Sequence, residues 1–410
     1  MVSTSVGEFA GAQESAWKRM RHWVIAHAVD DFYQGLVPAS IPFFVLERDY
    51  SYVQASGLAL AATLGSSLPQ AALGVIADRW RMLWLAPAGL VLAGAGAGLA
   101  GLAPSYPLVW ALLLLSGLGV AAFHPSAGRD ARRDAGSSAT AMSLFAAGGS
   151  VGFFLAPALA TPALVGLGVG ATAIFIPPAV LMGYVLLRYQ QRREADTTTT
   201  PTTSSGSDRW LPFLVLTAVE IVRSSLHFGM NTFIALYWIN HLGASRGLGG
   251  TALATFLVGG VAGTLLGGRI ADRVGMLRTI HIGSVAAIPA LVALRAVPNP
   301  HLGLLLAVFA GITVNIPFAV LVKLGQDYLP NRPGTAAGVT LGLAVSAGGL
   351  FVPVLGVVAD HHGPQAVLTI LCFVPIAAVV LGLLLPSPVV RSGRETAATT
   401  ALKPPNHEVR

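Results

Sequence analysis

The sequence has little charge and almost no cysteine. Only 10% of its 410 residues are Asp, Glu, Lys or Arg, against about 25% in soluble proteins. Hydrophobic residues make up 54% of the chain, and the mean hydropathy is +0.69. The scarcity of charge argues against a soluble enzyme, a nucleic-acid-binding protein and a disordered chain. The single cysteine, Cys372, excludes an intramolecular disulfide.

The sequence does contain long apolar runs. A helix that crosses a bilayer needs about 20 apolar residues. Runs of about this length lie between charged or Pro/Gly-rich breaks at 22–46, 52–77, 82–102, 107–124, 139–161, 167–188, 211–240, 250–270, 277–297, 302–324, 335–358 and 365–386. The sequence therefore predicts an all-α membrane protein with twelve transmembrane helices. The first run is too long for a signal peptide, so we interpret it as an uncleaved helix.

The distribution of basic residues predicts the orientation in the membrane. If the N-terminus is inside, 21 of the 25 Lys and Arg residues fall in cytoplasmic segments, Arg48, Arg246 and Arg295 fall outside, and the remaining one, Arg223, lies within a span. Cytoplasmic loops of membrane proteins carry such an excess, which explains the net charge of +7 without a nucleic acid partner. We expect a multi-pass protein of the cell membrane with both termini in the cytoplasm.

A polar segment divides the chain into two parts. Residues 189–209 are rich in Thr and Ser and poor in apolar residues, a composition that predicts a flexible cytoplasmic linker. It separates an N-terminal six-helix half at 1–188 from a C-terminal half at 210–390, and a cytoplasmic tail follows at 391–410.

A short repeat supports this division. The sequence GVIADR at 74–79 leaves the second span of the first half, and GRIADR at 268–273 leaves the second span of the second half. Two copies at equivalent places indicate two pseudo-symmetric halves of the kind found in transporters.

These loops resemble the signature G-x-x-x-D-R/K-x-G-R/K of the major facilitator superfamily. The first copy departs from it at Arg81 and Met82, and the second copy has Met276 after Gly275. A narrower resemblance, to the fosmidomycin-resistance branch of drug-efflux transporters, rests on further segments. They are His27–Gly35 (HAVDDFYQG), Phe123-His124-Pro125, Ser143-Leu144-Phe145 and Gln326–Pro330 (QDYLP). The resemblance implies the major facilitator fold, alternating access and proton-driven efflux that confers antibiotic resistance.

Two helices carry a stripe of polar residues inside the membrane. At about 100° per residue, each stripe falls on one narrow helix face, and intramembrane ionisable groups are costly and therefore functional candidates. The candidate substrate-binding residues are Arg223, His227, Asn231, Gln34 and His27. The candidate proton-coupling residues are Asp30, Asp31 and Glu220. The alternative is that both stripes only join helices through buried polar contacts.

The repeated loops also supply candidate gates. A glycine permits a tight helix exit, and an Asp there can bind the start of a neighbouring helix. The candidate gating residues are Gly74, Asp78, Arg79, Gly268, Asp272 and Arg273. His124, which precedes Pro125 at the expected end of helix 4, is either a helix terminator or a further gating residue. Lys323 is expected to extend to the membrane interface.

Small residues spaced by four form a face on three helices. These faces are Gly148, Gly152, Ala156 and Ala160 in helix 5, Gly259, Gly263 and Gly267 in helix 8, and Gly334, Gly338, Gly342 and Ser346 in helix 11. Such faces let helices approach closely. The sequence is equally compatible with sliding between the halves and with static packing.

The combined pattern favours a secondary transporter. The chain has no GxxxxGK[ST] motif for ATP, so the expected energy source is an ion gradient. We expect a monomer that exports a small anionic or amphiphilic compound in exchange for protons, surrounded by membrane lipids and without a cofactor or metal. Its partners would be the small-molecule substrate and protons.

Two other functions stay open. If Arg223 binds an anion only after a protonated carboxyl group releases it, proton and substrate bind together, which favours uptake of an organic or phosphonate-like anion by symport. A membrane enzyme or receptor is disfavoured, because the sequence has no HExxH motif, no Cys/His cluster and no long soluble domain.

Overall fold

A computed structural model of the protein describes residues 2–50, 52–80, 82–196 and 206–387. Its first half contains six helical spans, of which two have a local break. They are α1 (Val2–Arg48), α2 (Tyr52–Ser67 and Gln70–Arg79), α3 (Leu85–Ala100), α4 (Tyr106–Ala135), α5 (Ala139–Leu167) and α6 (a 3-10 turn at Val169–Phe175, then Ile176–Asp196).

The second half repeats the count. Its spans are α7 (Trp210–Asn240), α8 (Arg246–Val274), α9 (Met276–Ala296), α10 (Pro300–Asn315 and Phe318–Tyr328), α11 (Pro333–Ala337, a π-helical turn at Gly338–Leu343, Ala344–Gly349 and Val352–His362) and α12 (Pro364–Gly382). Every predicted span therefore corresponds to a helical span, as the predicted fold class requires.

Most spans are able to cross a bilayer. Within the described residues, ten helical stretches have the length and apolar composition that this needs. Of the other two, α3 is apolar but has 16 residues, and α1 is 47 residues long but carries the first polar stripe. The chain is an integral, multi-pass membrane protein.

Helix α4 does not end at His124. It continues through Pro125 to Ala135, so the expectation of a terminator there is wrong. Proline removes the backbone donor that would otherwise bond the Ala121 carbonyl, but the helix continues past it, as membrane helices can at a proline.

The expected linker also begins later than residue 189. Helix α6 runs to Asp196, so the first eight residues of the predicted segment are helical. Residues 197–205, the tail at 391–410 and the motif residue Arg81 lie outside the described residues, and the predicted flexibility of the linker stays a prediction.

The small-residue faces serve two different purposes. In α5, a Cβ added to Gly152 would lie 1.9 Å from the Ala28 carbonyl oxygen of α1, and in α8 a Cβ on Gly263 would lie 2.1 Å from the Ile312 carbonyl oxygen of α10. Both contacts are within one half, so these faces provide static packing.

The face of α11 instead meets the other half. A Cβ on Gly338 would lie 2.6 Å from the carbonyl oxygen of Gln70 in α2. The hydroxyl oxygens of Ser67 in α2 and Ser346 in α11 are 2.5 Å apart. The π-helical turn of α11 begins at Gly338, and such turns occur frequently at functional sites. Of the three faces, only this one lies where the halves move against each other in the predicted mechanism.

Candidate functional site

The first polar stripe forms a compact cluster with His124. His27 Nε2 lies 3.2 Å from His124 Nε2 and 3.4 Å from Asp31 Oδ2, while His124 Nε2 lies 3.2 Å from Asp31 Oδ1. Gln34 Nε2 donates to Asp31 Oδ1 at 2.5 Å. The ligand-type atoms of the two histidines and Asp31 all lie within 4.8 Å of one another, a spacing at which one cation can be shared by all three.

His124 thus has a different place from the one the sequence suggested. It lies within α4 and is 3% exposed, in contact with the α1 stripe rather than at a helix exit. The sequence did flag the Phe-His-Pro segment, but only the tertiary structure shows that its imidazole faces Asp31.

Asp30 is buried beside this cluster. It is 0% exposed, and within the described residues neither of its carboxyl oxygens has a hydrogen-bond partner. His124 lies close by, with its Nδ1 3.6 Å from Asp30 Oδ2. The two adjacent aspartates therefore differ, because Asp31 is fully engaged and Asp30 is not.

The second stripe forms an ion pair of its own. Arg223 donates to both carboxyl oxygens of Glu220, from Nε at 2.9 Å and from Nη2 at 2.6 Å. Its Nη1 lies 3.4 Å from Asn315 Oδ1 of α10, and its guanidinium carbon lies 4.6 Å from the centre of the Phe318 ring. Both charged side chains are buried. Asn315 of α10 is thus a partner of the pair.

The outer members of the second stripe are less engaged. Within the described residues, His227 Nδ1 and Asn231 Oδ1 are buried without a hydrogen-bond partner. The His227 ring packs against Phe256 of α8, with the ring centres 5.9 Å apart. Polar atoms that lack a partner inside a protein are available to a ligand.

A cavity adjoins the first cluster. It has a volume of about 180 Å³ and lies between α1, α2 and α4. Gln34, which contacts Asp31, also lines this cavity, together with the hydroxyl-bearing residues Tyr33, Thr63, Ser66 and Ser116. A small polar ligand in the cavity would therefore be one side chain away from the aspartate cluster.

One end of the bundle is closed by contacts between the halves. We call it the basic end; α2, α4, α8 and α10 finish there, near Arg79, Arg132 and Arg273. Asp78 accepts hydrogen bonds from the backbone N–H groups of Gly334 and Thr335 at the start of α11, both at 2.7 Å, and from the Thr335 hydroxyl at 2.6 Å.

The second copy of the motif makes the equivalent contact. Asp272 accepts from the N–H groups of Ala139 (2.6 Å) and Thr140 (2.8 Å) at the start of α5, and from the Ser138 hydroxyl (3.1 Å). The N-terminus of a helix carries exposed donors and a partial positive charge, which suits a carboxylate. Both contacts agree with the prediction that an Asp in this loop binds the start of a neighbouring helix.

The motif glycines allow this closure. A Cβ on Gly74 would lie 2.7 Å from the Gly334 carbonyl oxygen of α11, and a Cβ on Gly268 would lie 2.3 Å from the Ser143 hydroxyl of α5. Only glycine permits the helices to approach this closely. The motif arginines differ from the aspartates, because Arg79 and Arg273 are exposed at the tips of their helices.

A third contact between the halves was not foreseen. Asp327 of α10 pairs with Arg132 of α4 and, at 2.9 Å, with Lys323. Gln326 Nε2 donates to the Gly128 carbonyl oxygen of α4 at 3.0 Å. Lys323 is 4% exposed, so the expectation that it extends to the interface is wrong; Asp327, one turn away, supplies a half-buried counter-charge instead.

Comparisons with known proteins agree with this architecture. The family model of the Major Facilitator Superfamily matches residues 23–353 and 216–405. The chain belongs to this superfamily. Superfamily members are transporters of small molecules, so the protein is a membrane transporter and not an enzyme.

Two relatives extend the match along most of the chain. The Fosmidomycin resistance protein of Escherichia coli (strain K12) is 29% identical over 361 residues, covering 86% of this chain and 89% of the relative. The Uncharacterized MFS-type transporter YfnC of Bacillus subtilis (strain 168) is 27% identical over 377 residues, covering 88% of this chain and 91% of the relative.

Solved structures confirm the fold. A crystal structure of a variant of the E. coli fucose:proton symporter FucP superimposes with a TM-score of 0.72 at 15% identity, covering 91% of this chain and 100% of FucP. A structure of FucP in the outward conformation gives the same TM-score at 14% identity, with the same coverage of both chains.

Proposed function

We propose that the protein is a proton-coupled transporter that exports a small anionic or amphiphilic compound from the cytoplasm by alternating access. The observation that carries this proposal is that each half contains a buried ionisable cluster while contacts between the halves close one end of the bundle. The name of the relative that is 29% identical supports drug efflux. The protein would then be an efflux transporter of the cell membrane that confers drug resistance.

The closed basic end corresponds to the cytoplasmic side in this proposal. The positive-inside rule places the arginines of this end, together with both termini, in the cytoplasm. The described conformation is then closed towards the cytoplasm, and the cavity beside Gln34 is the candidate substrate site. His27, Gln34, Arg223, His227 and Asn231 are the proposed substrate-binding residues.

Coupling is assigned to the carboxyl groups of the two stripes. Asp30, Asp31 and Glu220 are the proposed proton-binding residues, and burial makes their ionisation sensitive to nearby charges. Asp78 and Asp272 are the proposed gates, with Gly74 and Gly268 allowing close contact and Arg79 and Arg273 at the same helix ends. His124, predicted as a gate, is reassigned to the proton-binding cluster.

Symport is the second candidate, and the Glu220–Arg223 pair favours it. Proton binding to Glu220 would release the Arg223 guanidinium for an anionic substrate, so proton and substrate would bind together. The fold neighbour FucP is itself a fucose:proton symporter, although its likeness to this chain extends to the fold alone.

Transport into proteoliposomes with a pH gradient of either sign tests the proposal, with fosmidomycin as the probe. Antiport predicts that the probe accumulates in the compartment that is more acidic. Symport predicts accumulation in the more alkaline compartment. Equal, gradient-independent fluxes in both directions would contradict proton coupling altogether. Liposomes without protein are the control for passive leakage.

A further inference from the structure

The hydrogen-bond partners of His27 and His124 fix which nitrogen of each ring carries a hydrogen. His27 Nδ1 lies 2.8 Å from the Phe145 carbonyl oxygen, and His124 Nδ1 lies 3.1 Å from the Val120 carbonyl oxygen. A carbonyl oxygen only accepts, so each Nδ1 must be the donor. In a neutral imidazole the other nitrogen, Nε2, is then an acceptor.

These two acceptors face each other and an aspartate. The Nε2 atoms are 3.2 Å apart, and each lies within 3.4 Å of an Asp31 oxygen. If both rings were neutral, the two Nε2 acceptors and the Asp31 carboxylate would face one another in a buried site. Gln34 would donate to Asp31 but not to the two nitrogen atoms. Buried acceptors without a donor are strongly destabilising. The arrangement therefore requires a bound positive charge.

We infer that one proton is held between the Nε2 atoms of His27 and His124 and shared with Asp31, and that its loss is the coupling step of the transport proposed above. Among the described residues, the titratable groups that face this proton are Asp30 and Asp31 on α1, His27 on α1 and His124 on α4. Helix α5 contributes the Phe145 carbonyl and the backbone at Gly149, where a Cβ would lie 2.6 Å from His27 Nε2.

The position of the proton connects it to the closed end. The site is formed by α1, α4 and α5, and two of these helices carry contacts to the other half. Helix α4 carries Arg132, which pairs with Asp327, and the start of α5 binds Asp272. Loss of the proton leaves the acceptors of α1 and α4 in repulsive contact, so it should favour a conformation in which the basic end opens.

A substrate-free accessibility measurement tests this inference. Cys372 is replaced by Ser, and Ser143, which is buried between α5 and α8, is replaced by Cys as the probe. Labelling in nanodiscs is measured from pH 5 to pH 9 and divided by the rate at an exposed His361→Cys, which removes the pH dependence of the reagent. If the closed state binds the proton tenfold more tightly, labelling should rise about tenfold at high pH.

The decisive variant is His124→Gln. Its amide offers N–H donors at every pH, so labelling should stay low and independent of pH. His281→Gln is the matched control, because His281 Nδ1 also bonds a carbonyl one turn back, that of Leu277, at 2.7 Å, and its Nε2 has no hydrogen-bond partner among the described residues. This control should keep the pH dependence of the parent protein.

Three outcomes would overturn the inference. The first is a His124→Gln variant that keeps the pH dependence, and the second is a parent protein whose labelling does not change with pH. The third is labelling that responds to EDTA or added Zn²⁺ in the parent protein but not in His124→Gln, which would identify a metal site. If His124→Gln does not fold, His27→Gln replaces it.

The outcome of this experiment is separate from the outcome of the transport assay. The labelling needs neither substrate nor gradient, and an inward proton movement is common to antiport and symport. A failed transport assay with a pH-dependent, His124-dependent opening would overturn the proposed function but leave the proton site.

Discussion

At the scale of single residues, the two adjacent aspartates of α1 have different surroundings. Asp31 contacts both histidines and Gln34, whereas Asp30 has no hydrogen-bond partner among the described residues. A buried carboxylate without donors is costly, so Asp30→Asn should be tolerated by the fold. We expect Asp31→Asn to abolish pH-driven uptake of fosmidomycin into proteoliposomes and Asp30→Asn to reduce it less.

The comparison of these two variants identifies the coupling carboxyl group. Uptake is measured with and without a pH gradient for protein amounts matched by immunoblot. Full pH-driven transport in Asp31→Asn would remove Asp31 from the coupling site, and the same result in Asp30→Asn would remove Asp30.

Arg223 is expected to depend on the shape of its guanidinium. Two of its nitrogens bond Glu220 and a third faces Asn315, a forked geometry that lysine cannot reproduce. Each hydrogen bond to a charged group contributes about 1.5–3 kcal/mol. Arg223→Lys should therefore impair transport almost as severely as Arg223→Ala.

The matched control for this variant is Arg188→Lys. Arg188 is an exposed arginine whose guanidinium carbon lies 5.5 Å from the centre of the Tyr184 ring, and its substitution should leave transport unchanged. Rates are compared at equal protein in the membrane. A fully active Arg223→Lys would reduce the role of Arg223 to that of a generic positive charge.

At the scale of helices, Asp78 joins α2 to the start of α11. Contacts between a charge and a helix end contribute up to about 2 kcal/mol in partly buried geometry, which corresponds to roughly a thirtyfold change in the ratio of two states. We expect Asp78→Asn to favour the conformation open at the basic end, slowing transport and increasing labelling of the Ser143→Cys probe in the Cys372→Ser background. The affinity for fosmidomycin, measured from the cytoplasmic side, should be unchanged or higher.

Asp272→Asn should act in the same direction but less strongly. Asp272 is exposed and Asp78 is half-buried, and water weakens charge interactions at exposed positions. Asp208→Asn is the control, because Asp208 also accepts from a backbone N–H, that of Asn331 at 3.0 Å, but this contact joins the segment before α7 to the segment before α11 and does not join the two halves. Unchanged labelling in Asp78→Asn would leave only a structural role for the motif.

Packing of α5 on α1 gives a prediction for stability. A Cβ on Gly152 would lie 1.9 Å from a backbone oxygen of α1, so Gly152→Ala forces the helices apart, and such overpacking costs about 1–3 kcal/mol. Gly166→Ala in the same helix meets no atom within 4 Å and should not destabilise. Thermal unfolding in detergent measures both; equal Tm values would contradict the close packing.

At the scale of the whole molecule, the prediction concerns orientation. Both termini and the segment between the halves should lie in the cytoplasm, because the basic residues concentrate at that end. Ser205→Cys in the Cys372→Ser background should not react with an impermeant reagent added outside intact cells. His361→Cys, at the exposed end of α11, should react. The opposite pattern would reverse the topology and the direction of transport.

The sequence by itself determined the number of spans, the division into halves and the polar stripes of α1 and α7. These features are local, because apolar length and helical period depend on residues near each other in the chain. The Glu220–Arg223 pair is also local, since residues three apart share a helix face. The duplicated motif at Asp78 and Asp272 was also visible in the sequence, because each copy is a short run of neighbouring residues.

Only the tertiary structure decided which distant groups meet. It brought His124 of α4 to Asp31 of α1, joined Arg132 to Asp327 across the halves, and assigned the small-residue faces of α5 and α8 to static packing while the face of α11 meets α2. Each of these contacts joins residues that are far apart in sequence, so it depends on how the helices are arranged and rotated against one another. That arrangement follows from the summed packing of all twelve helices, which no single segment encodes.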